Sequence, residues 1–322
     1  MTKKTKIIYF SILFIQSLII AFLLLHIYHK QNVISINPLK KDGLIFPISS
    51  PKLKYFYEPK PNSIRTDHPD WLPYTATNTI NTDRLNERFD YSTAKAPDTY
   101  RIITIGDSFT FGAFVNTADN WTEKLEDLFQ TTNFCNGKKV EVINLGGPAY
   151  DLEYAVARLK LRGIKYDPDI VIWFVKNDDF AIINEIMKPT MDKHEKEFDA
   201  KLSLYSTDYS WLNMAIKEVN EKYGEETILN RQIEIVKSMA DIFKKKLVFI
   251  TFPQTQMKYR KILSNFLNSR PQTYLYDKLP DIYLPNMSSA RLRDGHPSVE
   301  GHQLIATSVF EYLKQNTSIL CR

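Results

Sequence analysis

The sequence predicts an α/β fold built on a parallel, doubly wound sheet. From about residue 100 onward, short apolar runs alternate with stretches of helical periodicity. The runs at 102–105 and 170–175 are apolar almost throughout, as expected of strands covered on both faces. Loops rich in Gly, Ser, Asn and Asp follow three successive strands, and in such a sheet those loops share one edge.

The first core strand, 102–105, ends at Gly106-Asp107-Ser108. Trp121, Leu125, Leu128 and Phe129 then recur at helical spacing, which predicts a helix over about 121–130. The second strand is 140–144. The tight loop from Leu145 to Asp151 follows, then a helix carrying Tyr154, Val156, Ala157 and Leu159. The third strand, 170–175, ends at Lys176-Asn177-Asp178-Asp179. Residues 180–230 read as a polar, helical insertion with aromatic spots at Tyr205, Tyr209 and Trp211. It is the natural place for a lid over a site. Helices at 231–244, 257–269 and 298–314 alternate with strands at 247–252 and 273–276.

The chain of 322 residues is 43% hydrophobic and 25% charged, ordinary values for a globular protein. Its net charge of +5 is spread out, and no basic stripe interleaves with aromatics, so nucleic acid is not an expected partner. No Gly-rich phosphate loop with Lys follows a strand, which argues against nucleotide binding.

Ahead of the core, Lys3, Lys4 and Lys6 precede residues 7–28, Ile7 to Tyr28, a run without Asp, Glu, Lys or Arg. These 22 residues would span roughly 33 Å as a helix, enough for a bilayer core. No small-x-small cleavage site closes the run, so it reads as an uncleaved single-pass anchor rather than a signal peptide. The expected organisation is a cytoplasmic tip and anchor over 1–30, a linker and irregular extension over 31–99, and an extracytoplasmic domain over 100–322. Pro51, Pro59, Pro61, Pro69 and Pro73 break any long helix in the extension. Tyr55, Phe56, Tyr57, Trp71 and Tyr74 imply that it packs on the core, as a structural wrap or as a wall of the substrate site.

A Ser after a tight turn at a strand's carboxyl end either caps a helix or serves as a nucleophile. The other loops favour the second role. A Ser hydroxyl needs a base within reach, and His296 can supply it; Asp294 can fix the imidazole tautomer. An oxyanion needs preorganised donors. The Ser108 N–H, a backbone N–H of Gly147 or Ala149, and the Asn177 amide are the candidates.

Gly106-Asp107-Ser108, the loop from Asn144 to Tyr150, Asn177-Asp178 and Asp294-x-His296 resemble, in order, the four sequence blocks of the SGNH (GDSL-type) hydrolases. The resemblance spans about residues 101–314. It implies a flavodoxin-like three-layer α/β/α sandwich and esterase, deacetylase, lipase or acyltransferase activity, with no metal or cofactor. By the same resemblance Ser108 is the nucleophile, His296 the base, and Asn177 an oxyanion donor. Two departures stand out. Ala149 occupies the position of the family's oxyanion Gly, which its N–H can replace if φ is negative. Arg293 occupies the family's usual Asp position, leaving Asp294 at a shorter spacing or the site as a Ser–His dyad.

In a flavodoxin-like sheet the helix before Cys135 and the last helix, before Cys321, can share a face, so these cysteines either bridge or stay as unrelated thiols. The implied function is cleavage of an ester through acyl-Ser108, on a small molecule or an O-acylated envelope glycan. The rivals are an O-acyltransferase using the same residues and a non-catalytic glycan-binding envelope protein. Asp107 is expected to brace the turn, Asp178 and Asp179 to be structural rather than an acid pair or metal site, and His302 to be a structural histidine.

Overall fold

The computed structural model describes residues 53–199 and 209–321, together with residues 44–45 and position 16. The expected anchor over 7–28, but for position 16, lies outside the described residues, as do Tyr205 and most of the linker. Among the described residues no helix is long and apolar enough to cross a membrane.

Before the core come two small antiparallel pairs. Strand β1 (Leu44–Ile45) pairs with β2 (Glu58–Pro59), and β3 (Ser63–Asp67) with β4 (Ala76–Ile80). The core then alternates strictly. Strand β5 (Thr99–Ile105) leads to helices α1 (Ser108–Phe111) and α2 (Trp121–Gln130). Strand β6 (Lys139–Asn144) leads to α3 (Leu152–Arg158). After β7 (Ile170–Phe174) come α4 (Asn177–Ala181), α5 (Asn184–Asp199), α6 (Ser210–Tyr223) and α7 (Glu225–Ile242). Strand β8 (Lys246–Ile250), helix α8 (Met257–Ser269), strand β9 (Thr273–Tyr276) and helices α9 (Val299–Gln315) and α10 (Thr317–Leu320) complete the order.

The main sheet runs β6-β5-β7-β8-β9, parallel throughout. In core-strand numbering this is 2-1-3-4-5, the flavodoxin-like order, whose direction reverses between β5 and β7. The strands sort their side chains by the two-residue period of a pleat. Ile102, Val142, Ile172 and Val248 face one way, against Trp121, Leu125 and Phe129 of α2 and Ile305, Val309 and Leu313 of α9. Ile103, Ile143, Val171, Trp173 and Phe249 face the other way, against α3, α7 and α8. Both faces are covered, which gives the three-layer sandwich. Each fully buried aliphatic or Phe side chain contributes roughly 1.5–3 kcal/mol.

Because α2 and α9 lie on one face and both run away from the strands' carboxyl ends, their far ends meet. Cys135 and Cys321 are disulfide-bonded there, with Cα atoms 5.1 Å apart. The bridge lies beside the starts of the strands, near Tyr100, Asp169 and Gln272.

Predicted and observed elements differ mainly at their ends. The first core strand begins at Thr99, because Tyr100 and Arg101 are also buried and paired with Val140 and Glu141. Arg101 stays in the sheet because its Nε donates to Glu141 (2.7 Å) and its Nη1 to the Tyr166 carbonyl (2.8 Å). Helix α7 starts six residues early, at Glu225, so it takes in the end of the region read as an insertion.

Candidate active site

The β5–β7 reversal point is where an open sheet leaves a crevice at the strands' carboxyl ends, and Ser108 sits there. The turn before it depends on Gly106, whose φ is +152°. A Cβ there would meet Thr110 Oγ1 at 2.5 Å and the Phe174 carbonyl at 2.9 Å. Asp107 is the N-cap of α1, its Oδ1 accepting the Phe109 N–H at 2.9 Å. The capping role therefore belongs to Asp107, and Ser108 is the first helical residue, its hydroxyl free for other use.

That hydroxyl meets the C-terminal loop. Ser108 Oγ lies 2.8 Å from His296 Nε2, and His296 Nδ1 lies 2.7 Å from Asp294 Oδ2. A carboxylate only accepts, so Nδ1 carries the ring proton and Nε2 is left to accept the Ser108 O–H. Asp294 also accepts the His296 backbone N–H at 3.1 Å. Its side chain is 1% exposed, that of His296 15%. Arg293, at the position where an Asp was expected, is exposed. The shorter spacing reaches the imidazole because Gly295 turns the chain with φ +92°.

Asn177 begins α4 directly after β7, next to β5 in the sheet. Its Oδ1 accepts the Gln256 N–H at 2.9 Å, so its Nδ2 is the end left to donate. In the second loop, Gly146 N–H donates to Asn144 Oδ1 at 2.8 Å, and Gly147 N–H donates to the Gly106 carbonyl at 3.1 Å. The Gly147 donor thus ties the second loop to the Gly106 turn. Ala149 remains, but not by way of a negative φ: it takes the left-handed backbone that a Gly adopts readily, held there by its neighbours. Its φ is +55°, a left-handed conformation that costs an L-residue roughly 1–2 kcal/mol. Gly146 packs so closely on α1 that a Cβ would lie 2.2 Å from the Phe111 nitrogen.

What holds Ala149 in that conformation is the N-terminal extension together with the insertion. Tyr57 Oη donates to the Pro148 carbonyl and Tyr150 Oη to the Tyr57 carbonyl. Asn184 Nδ2 donates to the Ala149 carbonyl at 3.0 Å. Leu53, Phe56 and Tyr57 form one buried cluster with Tyr150 and Tyr154. The extension reaches the histidine too. Trp71 packs edge-on against Phe114 (centroids 5.0 Å), and Phe114 packs edge-on against His296 (5.2 Å). Phe114 itself has φ +64°, and Tyr74 Oη donates to its carbonyl at 3.1 Å. The aromatic richness of the extension was the only sequence signal for this bracing.

Tyr283 and Tyr209 also belong to the site's surroundings. Tyr283 Oη donates to the carbonyl of Gly295, between Asp294 and His296, at 3.1 Å. The Tyr209 phenol is pushed up to about 12, chiefly by burial and then by Asp294, with Lys176 opposing. The insertion therefore comes near Asp294 and Lys176 at Tyr209.

The remaining candidates have structural partners. Asp179 accepts the Lys176 N–H at 2.7 Å. Burial and then Asp107 push its carboxyl well above the usual range. His302 is buried, and its Nδ1 accepts the Trp121 N–H at 3.2 Å. His68 and His194, without visible partners in the sequence, lie within hydrogen-bond distance of the Tyr74 carbonyl (2.9 Å) and Glu218 (2.8 Å). Among the described residues no group of His, Cys, Asp and Glu could hold a metal ion.

The geometry is that of a Ser–His–Asp triad on a parallel α/β/α sandwich. No family model matches the chain. No curated protein matches it either. Solved structures similar to it include a family 3 carbohydrate esterase from Clostridium thermocellum, with 13% identity, 70% of this chain and 100% of that one covered, and a TM-score of 0.41. A lipase/acylhydrolase from Enterococcus faecalis has 16% identity over 67% and 96% of the two chains, at 0.41. An acetylxylan esterase from Geobacillus stearothermophilus has 14% identity over 70% and 96%, at 0.41. At such scores the likeness does not reach the activities of those proteins, and the chemistry of this chain rests on its own residues.

Proposed function

We propose that this chain is a carboxylic ester hydrolase of the SGNH type, working through an acyl-Ser108 intermediate. The observation that carries the reading is the unbroken relay from Ser108 Oγ through His296 to a buried Asp294, at 2.8 and 2.7 Å.

In this reading Ser108 Oγ attacks the acyl carbonyl carbon while His296 Nε2 takes its proton. Asp294 stabilises the imidazolium. The carbonyl oxygen becomes an oxyanion, held by the Ser108 N–H, the Ala149 N–H and Asn177 Nδ2. On collapse the carbon–oxygen bond to the alcohol breaks, and His296 returns the proton to the departing oxygen. Water then enters, gives a proton to His296 and attacks the acyl-serine, releasing the acid and restoring Ser108.

The proposed substrate is an O-acyl group on a cell-envelope glycan. Two features support a sugar-bearing alcohol. Tyr283, 38% exposed, is fixed by its hydroxyl beside the catalytic loop, and Tyr209, 42% exposed, stands near the same Asp294. Half-exposed phenol rings suit the apolar face of a sugar ring. The disulfide suits an oxidising compartment, in line with an extracytoplasmic domain behind an anchor over 7–28.

The decisive measurement is hydrolysis of p-nitrophenyl acetate by the purified protein and by Ser108→Ala. The variant is expected to lose activity by about a thousandfold or more. Equal rates would refute the nucleophile assignment. Adding an acylated donor and a deacylated glycan together tests the acceptor: transfer to the glycan in place of water would make the protein an acyltransferase.

A further inference from the structure

Lys176, on the third catalytic loop, reaches across to the turn that carries the nucleophile. Its Nζ lies 2.7 Å from Asp107 Oδ2 and 3.5 Å from Asp178 Oδ2. The Lys176 side chain is 12% exposed and that of Asp107 8%, so the pair is shielded from solvent. The other Asp107 oxygen accepts the Phe109 N–H, which commits both oxygens of the carboxylate. The same ammonium sits 4.3 Å from the centroid of the Phe109 ring, and that ring packs on His296 at 5.2 Å. Lys176 thus touches the residue before the nucleophile and the ring that supports the base.

The chemistry gives this contact a consequence. Attack by Ser108, the residue next to Asp107, creates negative charge on the substrate oxygen. An unpaired carboxylate there, poorly screened, would raise the energy of the oxyanion. Paired with an ammonium it becomes a short dipole, whose field falls off faster. The groups facing Lys176 are Asp107 from the β5 turn, Asp178 and Asp179 from α4, and the phenols of Tyr209 and Tyr283, both of which also feel Asp294. Burial alone would discharge the amine, but Asp107, Asp179 and Asp178 outweigh it and hold the group well above the usual lysine range.

We infer that Lys176 is a positioning residue for the reaction of Ser108: its ammonium neutralises Asp107 and ties the nucleophile's turn to the loop that carries Asn177. The inference rests on the ester-hydrolase reading.

The test uses the full chain and four variants: Lys176→Met, Lys176→Gln, Lys176→Arg, and Asp107→Asn combined with Lys176→Met. Hydrolysis of p-nitrophenyl acetate and labelling by a fluorophosphonate are followed against pH. A wild type inert to both reagents defeats the ester-hydrolase reading itself. With an active wild type, Lys176→Met and Lys176→Gln are expected to lose about tenfold or more in kcat with little change in KM. Their acid limb of kcat/KM should move up by about half a pH unit, because the uncompensated Asp107 charge favours a protonated imidazole. Lys176→Arg keeps the rate. The double variant, with the Asp107 charge removed along with its counter-ion, recovers most of the kcat and the original acid limb. A brace without an electrostatic role would leave the double variant as slow as the single one. That outcome, or wild-type kinetics in Lys176→Gln, overturns the inference. Lys176→Gln retains a donor to Asp107, so the question stays decidable if Lys176→Met does not fold.

Discussion

Asp294 grips His296 twice across one intervening glycine: Oδ2 takes the ring Nδ1–H at 2.7 Å, and Oδ1 takes the backbone N–H at 3.1 Å. The double contact fixes both the tautomer and the direction of the ring. In Asp294→Asn the amide can turn its donor toward Nδ1, placing the ring proton on the wrong nitrogen. We expect kcat for p-nitrophenyl acetate to fall by about ten-thousandfold. Arg293→Ala, in contrast, should stay within about twofold. A large loss in Arg293→Ala with a mild one in Asp294→Asn would reverse the assignment.

Asn177 is held by its carbonyl end, through the Gln256 N–H, and left with its amino end to donate. Replacing it with Ala should cost about a hundred- to thousandfold in kcat, with KM changed far less. Steady-state kinetics would check this. An equal rise in KM with kcat unaltered would mean that Asn177 binds ground state and transition state alike.

The Cys135–Cys321 bridge closes a loop across 186 positions. In the chain-entropy model such a closure stabilises by roughly 3–5 kcal/mol. The double Ser variant should therefore unfold at a clearly lower urea concentration. Where it remains folded, esterase activity should persist, because the bridge lies at the opposite edge of the sheet from Ser108. An unchanged urea midpoint would sink the stabilising role.

His302 sets an acid limit. Burial, then His296 and Lys124, lower its pKa from 6.5 to about 3. In the unfolded chain it takes up a proton near pH 6.5. Between those values the unfolded state binds more protons, so stability is full above about pH 6.5 and falls as pH drops toward 3. The total is on the order of 5 kcal/mol. Thermal unfolding followed from pH 7 to pH 4 should show a shallower loss in His302→Gln than in wild type. Parallel curves would place the acid sensitivity elsewhere.

The sheet is legible in local sequence pattern. Near-continuous apolar runs and period-3.6 helices leave few ways to cover both faces, and parallel strands with right-handed crossovers follow. The sequence also marked the strand ends that carry Ser108 and Asn177, and the late loop with Asp294 and His296, because turn residues and reactive side chains are local in sequence. Other features belong to tertiary structure alone. That Gly147 spends its N–H on Gly106, that Ala149 adopts a positive φ, and that Tyr57 and, through Phe114, Trp71 brace the loops of Pro148 and His296 depends on contacts between segments far apart in sequence. The Lys176–Asp107 pair is of the same kind, joining the ends of two adjacent strands. Pattern and turn chemistry act over a few residues, whereas hydrogen bonds and charge pairs depend on distances that only the packed sheet brings to 3 Å.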